Sequence, residues 1–494
     1  MSSILDPIVA AAESRGDRAA LLAGDRMVSY GELVRAALAF GGVLRGSGER
    51  VAVEATRTPE TVAAILGVLC AGKSYVPLNP GDPPLRQRRI LRSARASHVV
   101  AGERFRGVGH GVTVIAPPEL AGIAGVPARP FAPPAPEREA YVFFTSGSTG
   151  APKGVPLTHA NARAFVDWAK AAFELGPDDR IGACSPLFFD ISVLDVFAGL
   201  GAGASVVLVP DHVTRFPRAC FEYLRAAAVS VLYTVPSALR TILAARPPGG
   251  ALDSLRLLLL AGEPFPAADL DAVRAAAPGA ALHNLYGPIE ANVVSAFAVP
   301  RDWPAGVPVP IGWAASGATL AIASEQDTPV TEAGASGEIV VRGPSVFHGY
   351  LPGPGAPPTP FVEVEGRRWY RTGDLGEIGA DGAFRYRGRD DDRIKCRGFL
   401  VELAEVEAAL ACAPDVVGAA AVAVGHDTAD PAIHAFVVSR SRAVEAREVI
   451  SWCMARLPRY MWPAEVHVVD ELPVARTGKV DRLHLGRLAE RAAS

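Results

Sequence analysis

Between residues 141 and 155 the chain reads YVFFTSGSTGAPKGV. A short apolar run of this kind is a buried strand. It leads directly into six small residues, Thr145, Ser146, Gly147, Ser148, Thr149 and Gly150, and then into Lys153 and Gly154. Small residues let backbone N–H groups approach an anion, the hydroxyls add donors and the lysine adds charge, which together suit phosphate oxygens. Gly150 and Lys153 are separated by two residues, so this is not a Walker A loop. A Ser/Gly-rich surface loop is the plain alternative. The hydroxyl density and the lysine argue against it. Only five lysines occur among 49 basic residues (Lys73, Lys153, Lys170, Lys395 and Lys479), so a retained lysine points to a need for a compact ammonium.

The loop sits in text that alternates short strands with helices. Helical periodicity over 30–44 precedes a strand at 51–54, an apolar helix over 61–70 precedes a strand at 75–78, and Asn79-Pro80-Gly81 marks a turn. Further apolar runs at 205–209, 229–234 and 255–260 are each followed by helical text. This alternation predicts an α/β fold with a mainly parallel sheet covered on both faces. Residues 128–138 are a Pro- and Ala-rich connector, and 312–388 read as an antiparallel β subdomain with Gly turns. The charged run GRDDDR then precedes a strand at 399–401 and a helix over 403–412. At 494 residues one core is not enough. We expect a large N-terminal domain over 1–390, with layered sheets plus the β subdomain, and a small mobile α+β domain over 391–494.

Composition excludes several classes. With 49 basic and 52 acidic residues the net charge is −3, so no broad basic field is available for nucleic acid. Arg-rich helix turns such as 86–92 read as solvated faces. The six cysteines are scattered without a CxxC pair, which argues against structural zinc and fits a reducing, cytoplasmic setting. The N-terminus lacks the basic and apolar regions of a signal peptide, and no apolar run approaches about 18 residues, so neither secretion nor a membrane span is expected.

The segment TSGSTGAPKG resembles the phosphate loop of the adenylate-forming (ANL) superfamily, which includes non-ribosomal peptide synthetase adenylation domains, acyl-CoA synthetases and luciferases. LCAGKSYVPLNP (69–80), NLYGPIEA (284–291), YRTGDL (370–375), GRDDDRIKCRGFLVEL (388–403) and PVARTGKVDR (473–482) follow in the family's order. The resemblance implies activation of a carboxylate by ATP with Mg²⁺. It gives the β- and γ-phosphates to the 145–150 loop and Lys153. Tyr286 stacks on adenine, while Asn284, Leu285, Gly287, Pro288 and Ile289 wrap the nucleotide. Glu290 coordinates Mg²⁺, Asp374 accepts from the ribose hydroxyls, and Tyr386 and Arg389 support the nucleotide from the domain junction. Lys479 bridges the substrate carboxylate and the α-phosphate as the key catalyst. Asp391 is the hinge about which the C-terminal domain turns between adenylation and thioester formation, bringing Lys395 and its neighbours to a new face. One departure stands out: the family usually has Thr where this chain has Ile289, so one hydroxyl to the α-phosphate is missing.

FFDISVLDVF (188–197) resembles the family's amino-acid-binding motif. Asp190 then pairs with the substrate's α-ammonium, although Asp is also a favoured helix N-cap. The implied pocket is Ile191, Leu194, Thr234, Leu259, Ala261, Leu285, Val293 and Val294, with Lys479 at the carboxylate end. Its wall is aliphatic, so an unpaired charged side chain is costly there and a small apolar amino acid is expected. These residues, together with AGEPFP (261–266) and YGPIEANV (286–293), look most like stand-alone prolyl-adenylating enzymes, which load proline onto a carrier protein for pyrrole formation. Thr234 stands where that group has a larger aromatic, which leaves valine, pipecolate or a modified proline open. The chain ends twelve residues past Arg482. The expected acceptor is therefore a separate holo peptidyl carrier protein with a phosphopantetheine thiol. An acyl- or aryl-CoA ligase, which needs no carboxylate at Asp190, and a catalytically silent accessory member, suggested by Ile289, are the alternatives.

Overall fold

The computed structural model describes residues 3–102, 105, 111–120, 130–145, 152–304, 306–324, 326–353, 359–389, 393–396, 399–425, 431–439, 445–473 and 480–493. The expected alternation of strands and helices resolves into two stacked sheets with helices between and outside them. One sheet has six strands. Arg50–Glu54 pairs in parallel with Ser74–Leu78 and His98–Val100, and Glu139–Thr145 pairs antiparallel with Lys153–Thr158. The other has nine strands, with a parallel centre that includes Arg180–Ala183, Val231–Thr234, Leu257–Leu260 and Ala281–Tyr286. Alternation along the strands divides the core. Leu257 and Leu259 join the central core between the sheets, while Leu258 and Leu260 pack on helices outside.

The helices between the sheets explain the apolar text. Tyr30–Val43 opens on a reciprocal cap: the Ser29 hydroxyl accepts from Glu32 N–H while the Glu32 carboxylate accepts from Ser29 N–H. Pro59–Cys70 is apolar on nearly every side because it is enclosed, with all of residues 61–69 buried. These two helices approach closely at Gly67, where a Cβ would lie 2.9 Å from the Phe40 ring and 3.0 Å from Ala37 O.

Residues from Thr319 to Arg389 supply an all-antiparallel sheet, as expected from the Gly-turn text. The C-terminal part holds a hairpin, Arg393–Cys396 with Phe399–Glu402, and a three-stranded sheet of Val416–Val424, Ala432–Ser439 and Glu465–Val469. This small sheet has two covered faces. One packs on the hairpin and on helices Leu403–Ala411 and Ala446–Met454, and the other on helix Arg482–Ala493. No helix among the described residues is long and apolar enough to cross a membrane.

Candidate active site

A cavity opens where the two stacked sheets, the antiparallel sheet and the C-terminal hairpin meet. The phosphate-loop sequence reaches it from a fixed base, because Thr145 and Lys153 face each other across the antiparallel pair. Residues 146–151, and with them Ser146, Gly147, Ser148, Thr149 and Gly150, lie outside the described residues. Thr145 lines the cavity, and its hydroxyl is buried with no hydrogen-bond partner among the described residues. Lys153 is buried, lies 5.0 Å from the Tyr350 ring centroid, and has Nζ 3.4 Å from Glu402 Oε1.

A second wall comes from the turn after strand Ala281–Tyr286. Gly287 cannot be replaced without moving this turn, since a Cβ there would lie 1.6 Å from Asn292 O. The turn brings Pro288, Ile289 and Glu290 to the cavity. Glu290 is buried, and its Oε1 accepts from the Tyr350 hydroxyl at 2.7 Å. Tyr350 thus lies between Lys153 and Glu290, a pairing of cation, ring and carboxylate in one wall. Asn284 is spent elsewhere: its amide donates to Pro310 O at 2.8 Å. Leu285 joins the central core.

The third wall is strand Arg367–Ile378 with its partner Phe384–Arg389. Asp374 and Arg389 are register neighbours, and their carboxylate and guanidinium form an ion pair in which both side chains are buried. The other Asp374 oxygen accepts from the Tyr286 hydroxyl at 2.7 Å. Burial, followed by the Asp374 charge, holds the Tyr286 phenol well above its ordinary range, so it stays a donor. The Tyr286 ring lies 6.4 Å from that of Tyr386, tilted by 43°. Asp374, Arg389, Thr372 and Ile289 line one cavity, while the two tyrosines stand behind it.

Asp190 also lines this cavity. It stands at the N-cap position of the turn Ile191–Val193 but makes no capping hydrogen bond. The plain capping alternative therefore does not account for it. Burial first, then the Asp190 charge, raises the Tyr233 phenol. Of the other expected pocket residues, Ile191 and Thr234 line an adjoining cavity together with Cys184, Cys220, Ser237 and Phe399. Leu194, Leu259, Ala261, Val293 and Val294 belong to the central core, as Leu285 does, and line neither space.

The C-terminal hairpin forms the roof. Phe399, Leu400 and Tyr460 line the cavity. Phe399 stacks on Tyr460 with centroids 3.4 Å apart and meets Phe189 at 4.3 Å. Beneath it, Arg86 forms an ion pair with Glu405 and has Nε 3.4 Å from Asp82 Oδ2. This corrects the reading of 86–92 as a solvated face. Arg88, Arg89 and Arg92 are exposed, but Arg86 is 4% exposed because two carboxylates compensate its burial. The Asp82–Arg86 spacing of four was visible in the sequence. Glu405, 319 positions away from Arg86, was not. Burial pushes the Asp82 carboxyl up to about 6, against the attraction of Arg86.

Lys479 and Asp391 lie outside the described residues, as do residues 474–478. Their flanks are informative. Asp481 N–H donates to Pro473 O at 2.8 Å, and Leu472 and Val480 pack on the sheet face that holds helix Arg482–Ala493. The hairpin that roofs the cavity packs on the opposite face of that sheet, through Ile394, Cys396 and Val401.

Comparison with known proteins agrees with this geometry. The family described as AMP-binding enzyme matches residues 8–351, and the AMP-binding enzyme C-terminal domain matches residues 405–479. An L-proline–[L-prolyl-carrier protein] ligase of Pseudomonas fluorescens is 38% identical over 464 residues, covering 90% of each chain. A protein of the same name from Streptomyces coelicolor is 35% identical, covering 89% of this chain and 87% of its own. The crystal structure of IdnL1 superposes with a TM-score of 0.80 at 31% identity, over 96% of this chain and 99% of that one. With a matched core and a matched C-terminal domain, this chain belongs to the family of AMP-binding enzymes.

Proposed function

We propose that this protein is an amino acid–[carrier protein] ligase that activates L-proline with ATP and passes the prolyl group to the phosphopantetheine thiol of a separate holo peptidyl carrier protein. The observation that carries this reading is the convergence of Asp190, Glu290 and the Asp374–Arg389 pair on the cavity reached by the Thr145–Lys153 loop. The two ligases named for proline support the choice of amino acid.

In the first step a carboxylate oxygen of proline attacks the α-phosphorus of ATP, and pyrophosphate leaves. Asp190 meets the secondary ammonium, which separates this chain from ligases of acids that carry none. Lys153 and the residues 145–150 neutralise the departing phosphates, and Asp374 meets the ribose with Tyr286 and Arg389 holding its carboxylate in place. Pro288 and Ile289 support the base from the cavity wall, with Tyr286 and Tyr386 standing behind them. Lys479 reaches the reacting carboxylate and α-phosphate, where a point ammonium stabilises the charge that builds up. Glu290 would hold Mg²⁺, a cation commonly bound by one or two carboxylates together with substrate phosphates, where it would neutralise phosphate charge. The Thr145 hydroxyl, which has no partner among the described residues, lies in the same cavity as Ile289, and it can supply the donor that Ile289 lacks.

In the second step the thiolate of the carrier attacks the acyl carbon and AMP leaves. The roofing hairpin and the described flanks of Lys479, Leu472 and Val480, pack on opposite faces of the C-terminal sheet, so we take each step to need a different face toward the cavity. Rotation of residues 391–494 on residues 1–390, with Asp391 as hinge, meets that need. The reactants and the carrier assign the reaction to the cytoplasm.

The adjoining cavity at Ile191 and Thr234 favours a second reading of the side chain, in which pipecolate, valine or a modified proline is also accepted. A panel of amino acids in ATP–pyrophosphate exchange tests both. L-proline gives the strongest exchange, with its close analogues behind. Strong preference for an acidic, basic or aromatic amino acid would overturn the reading, and exchange with carboxylic acids that lack an amine would favour an acyl-CoA ligase.

A further inference from the structure

Within the C-terminal sheet, outside every motif used above, three side chains converge. Strands Ala432–Ser439 and Glu465–Val469 run in parallel with His434 beside Glu465 and Phe436 beside His467. Residues two apart on a strand share a face, so Glu465 and His467 point the same way. His434 Nδ1 lies 3.1 Å from His467 Nε2, and Glu465 Oε2 lies 3.7 Å from the first and 3.8 Å from the second. No other group of three such side chains comes this close among the described residues.

We infer that His434, Glu465 and His467 form a binding site for a transition-metal cation of the zinc class. Ligand–metal distances of about 2.0–2.2 Å in a tetrahedral site put donor atoms roughly 3.3 Å apart, and the three measured separations bracket that value. The donors are two imidazoles and one carboxylate, a set that suits Zn²⁺ or Co²⁺ and not the hard cations preferred by all-oxygen sites. Orientation is fixed before any ion arrives: the His467 ring stacks on Phe436 at 4.6 Å and on His434 at 5.5 Å. Access is one-sided. The His434 side chain is 6% exposed and that of His467 18%, whereas Glu465 is 49% exposed. Three protein ligands leave a fourth tetrahedral position for water. A bond between the two imidazoles accounts for their separation alone; it leaves unexplained a carboxylate oxygen nearly equidistant from both ring nitrogens. The ion clamps the two parallel strands together on the face that also packs Phe436 against helix Arg482–Ala493.

The test uses the full chain with any affinity tag removed, stripped with chelator and kept in excess Mg²⁺ so that oxygen sites for hard cations are filled. Titration with Co²⁺ is expected to give the visible ligand-field bands of a tetrahedral site, saturating at one equivalent, and Zn²⁺ should displace them. Glu465→Gln, at a half-exposed position that tolerates change, and His467→Gln should each weaken Zn²⁺ by at least about 100-fold, since even the partners of metal ligands cost 10–100-fold when removed. Glu290→Gln should leave the bands intact. No bands at one equivalent, or bands that survive both Glu465→Gln and His467→Gln, would overturn the assignment.

Discussion

The contact between Arg86 and Glu405 offers a direct way to separate the two half-reactions. It joins the helix after the first long motif to the first helix of the C-terminal domain, beneath the hairpin that roofs the cavity. Glu405→Gln keeps the shape of the side chain and removes its charge. Breaking a buried pair by removing one partner costs about 3–5 kcal/mol when the other charge is left alone. Here Arg86 keeps Asp82 at 3.4 Å, so the lower figure of about 1.5–3 kcal/mol for a hydrogen bond to a charged group is the better measure. That energy is lost only in the arrangement with the hairpin over the cavity. At about 1.4 kcal/mol per factor of ten, the population of that arrangement falls roughly 10- to 150-fold. The assay compares proline-dependent ATP–pyrophosphate exchange with the rate of prolyl transfer to a holo carrier protein. Transfer should fall by about one to two orders of magnitude while exchange holds or rises. An equal fall in both, or no change in either, would refute the idea that this pair holds the transfer arrangement.

Three further outcomes are expected. Asp82 has a folded-state pKa raised to about 6 from an ordinary 3.8. Its contribution to stability is full below pH 3.8 and is lost as pH rises through 6, by about 3 kcal/mol at 1.36 kcal/mol per unit. Urea unfolding of Asp82→Asn across pH 4–7 should show that much less decline than the parent; an identical pH dependence would contradict the burial argument. Asp190→Ala should raise the KM for proline about 100-fold or more, by loss of a buried charge pair, while the thermal midpoint stays within a few degrees. An unchanged KM would remove Asp190 from the substrate. Lys479→Ala should abolish exchange without loss of fold, and exchange near the parent rate would remove Lys479 as the catalyst.

The motifs were legible because phosphate and nucleotide binding depend on local sequence. Gly287 illustrates this: its lack of a side chain is required by a turn only six residues long, so the sequence window contains both partners of the clash. The Asp374–Arg389 pair was legible as two motifs, though not as an ion pair, since its formation depends on the register of two strands. The alternation of apolar strands and helices gave the layers, because strands covered on both faces must be apolar throughout. What escaped were partnerships between residues far apart along the chain. Arg86 looked solvated since its compensating Glu405 lies far along the chain, and nothing near Lys153 in sequence announces Glu402 or Tyr350. The aliphatic pocket was the least legible part. An aliphatic side chain facing a ligand and one facing the core read alike, and Leu194, Leu259, Leu285, Val293 and Val294 all join the core.

The central claim is tested most directly in a single reaction containing the protein, ATP, Mg²⁺, L-proline and a holo peptidyl carrier protein, in which AMP and carrier-bound proline are quantified together by mass spectrometry. The account predicts equal amounts of AMP and prolyl thioester, each dependent on proline and on the phosphopantetheine arm. AMP and thioester formed equally well on coenzyme A, or no AMP release when proline is added, would contradict it.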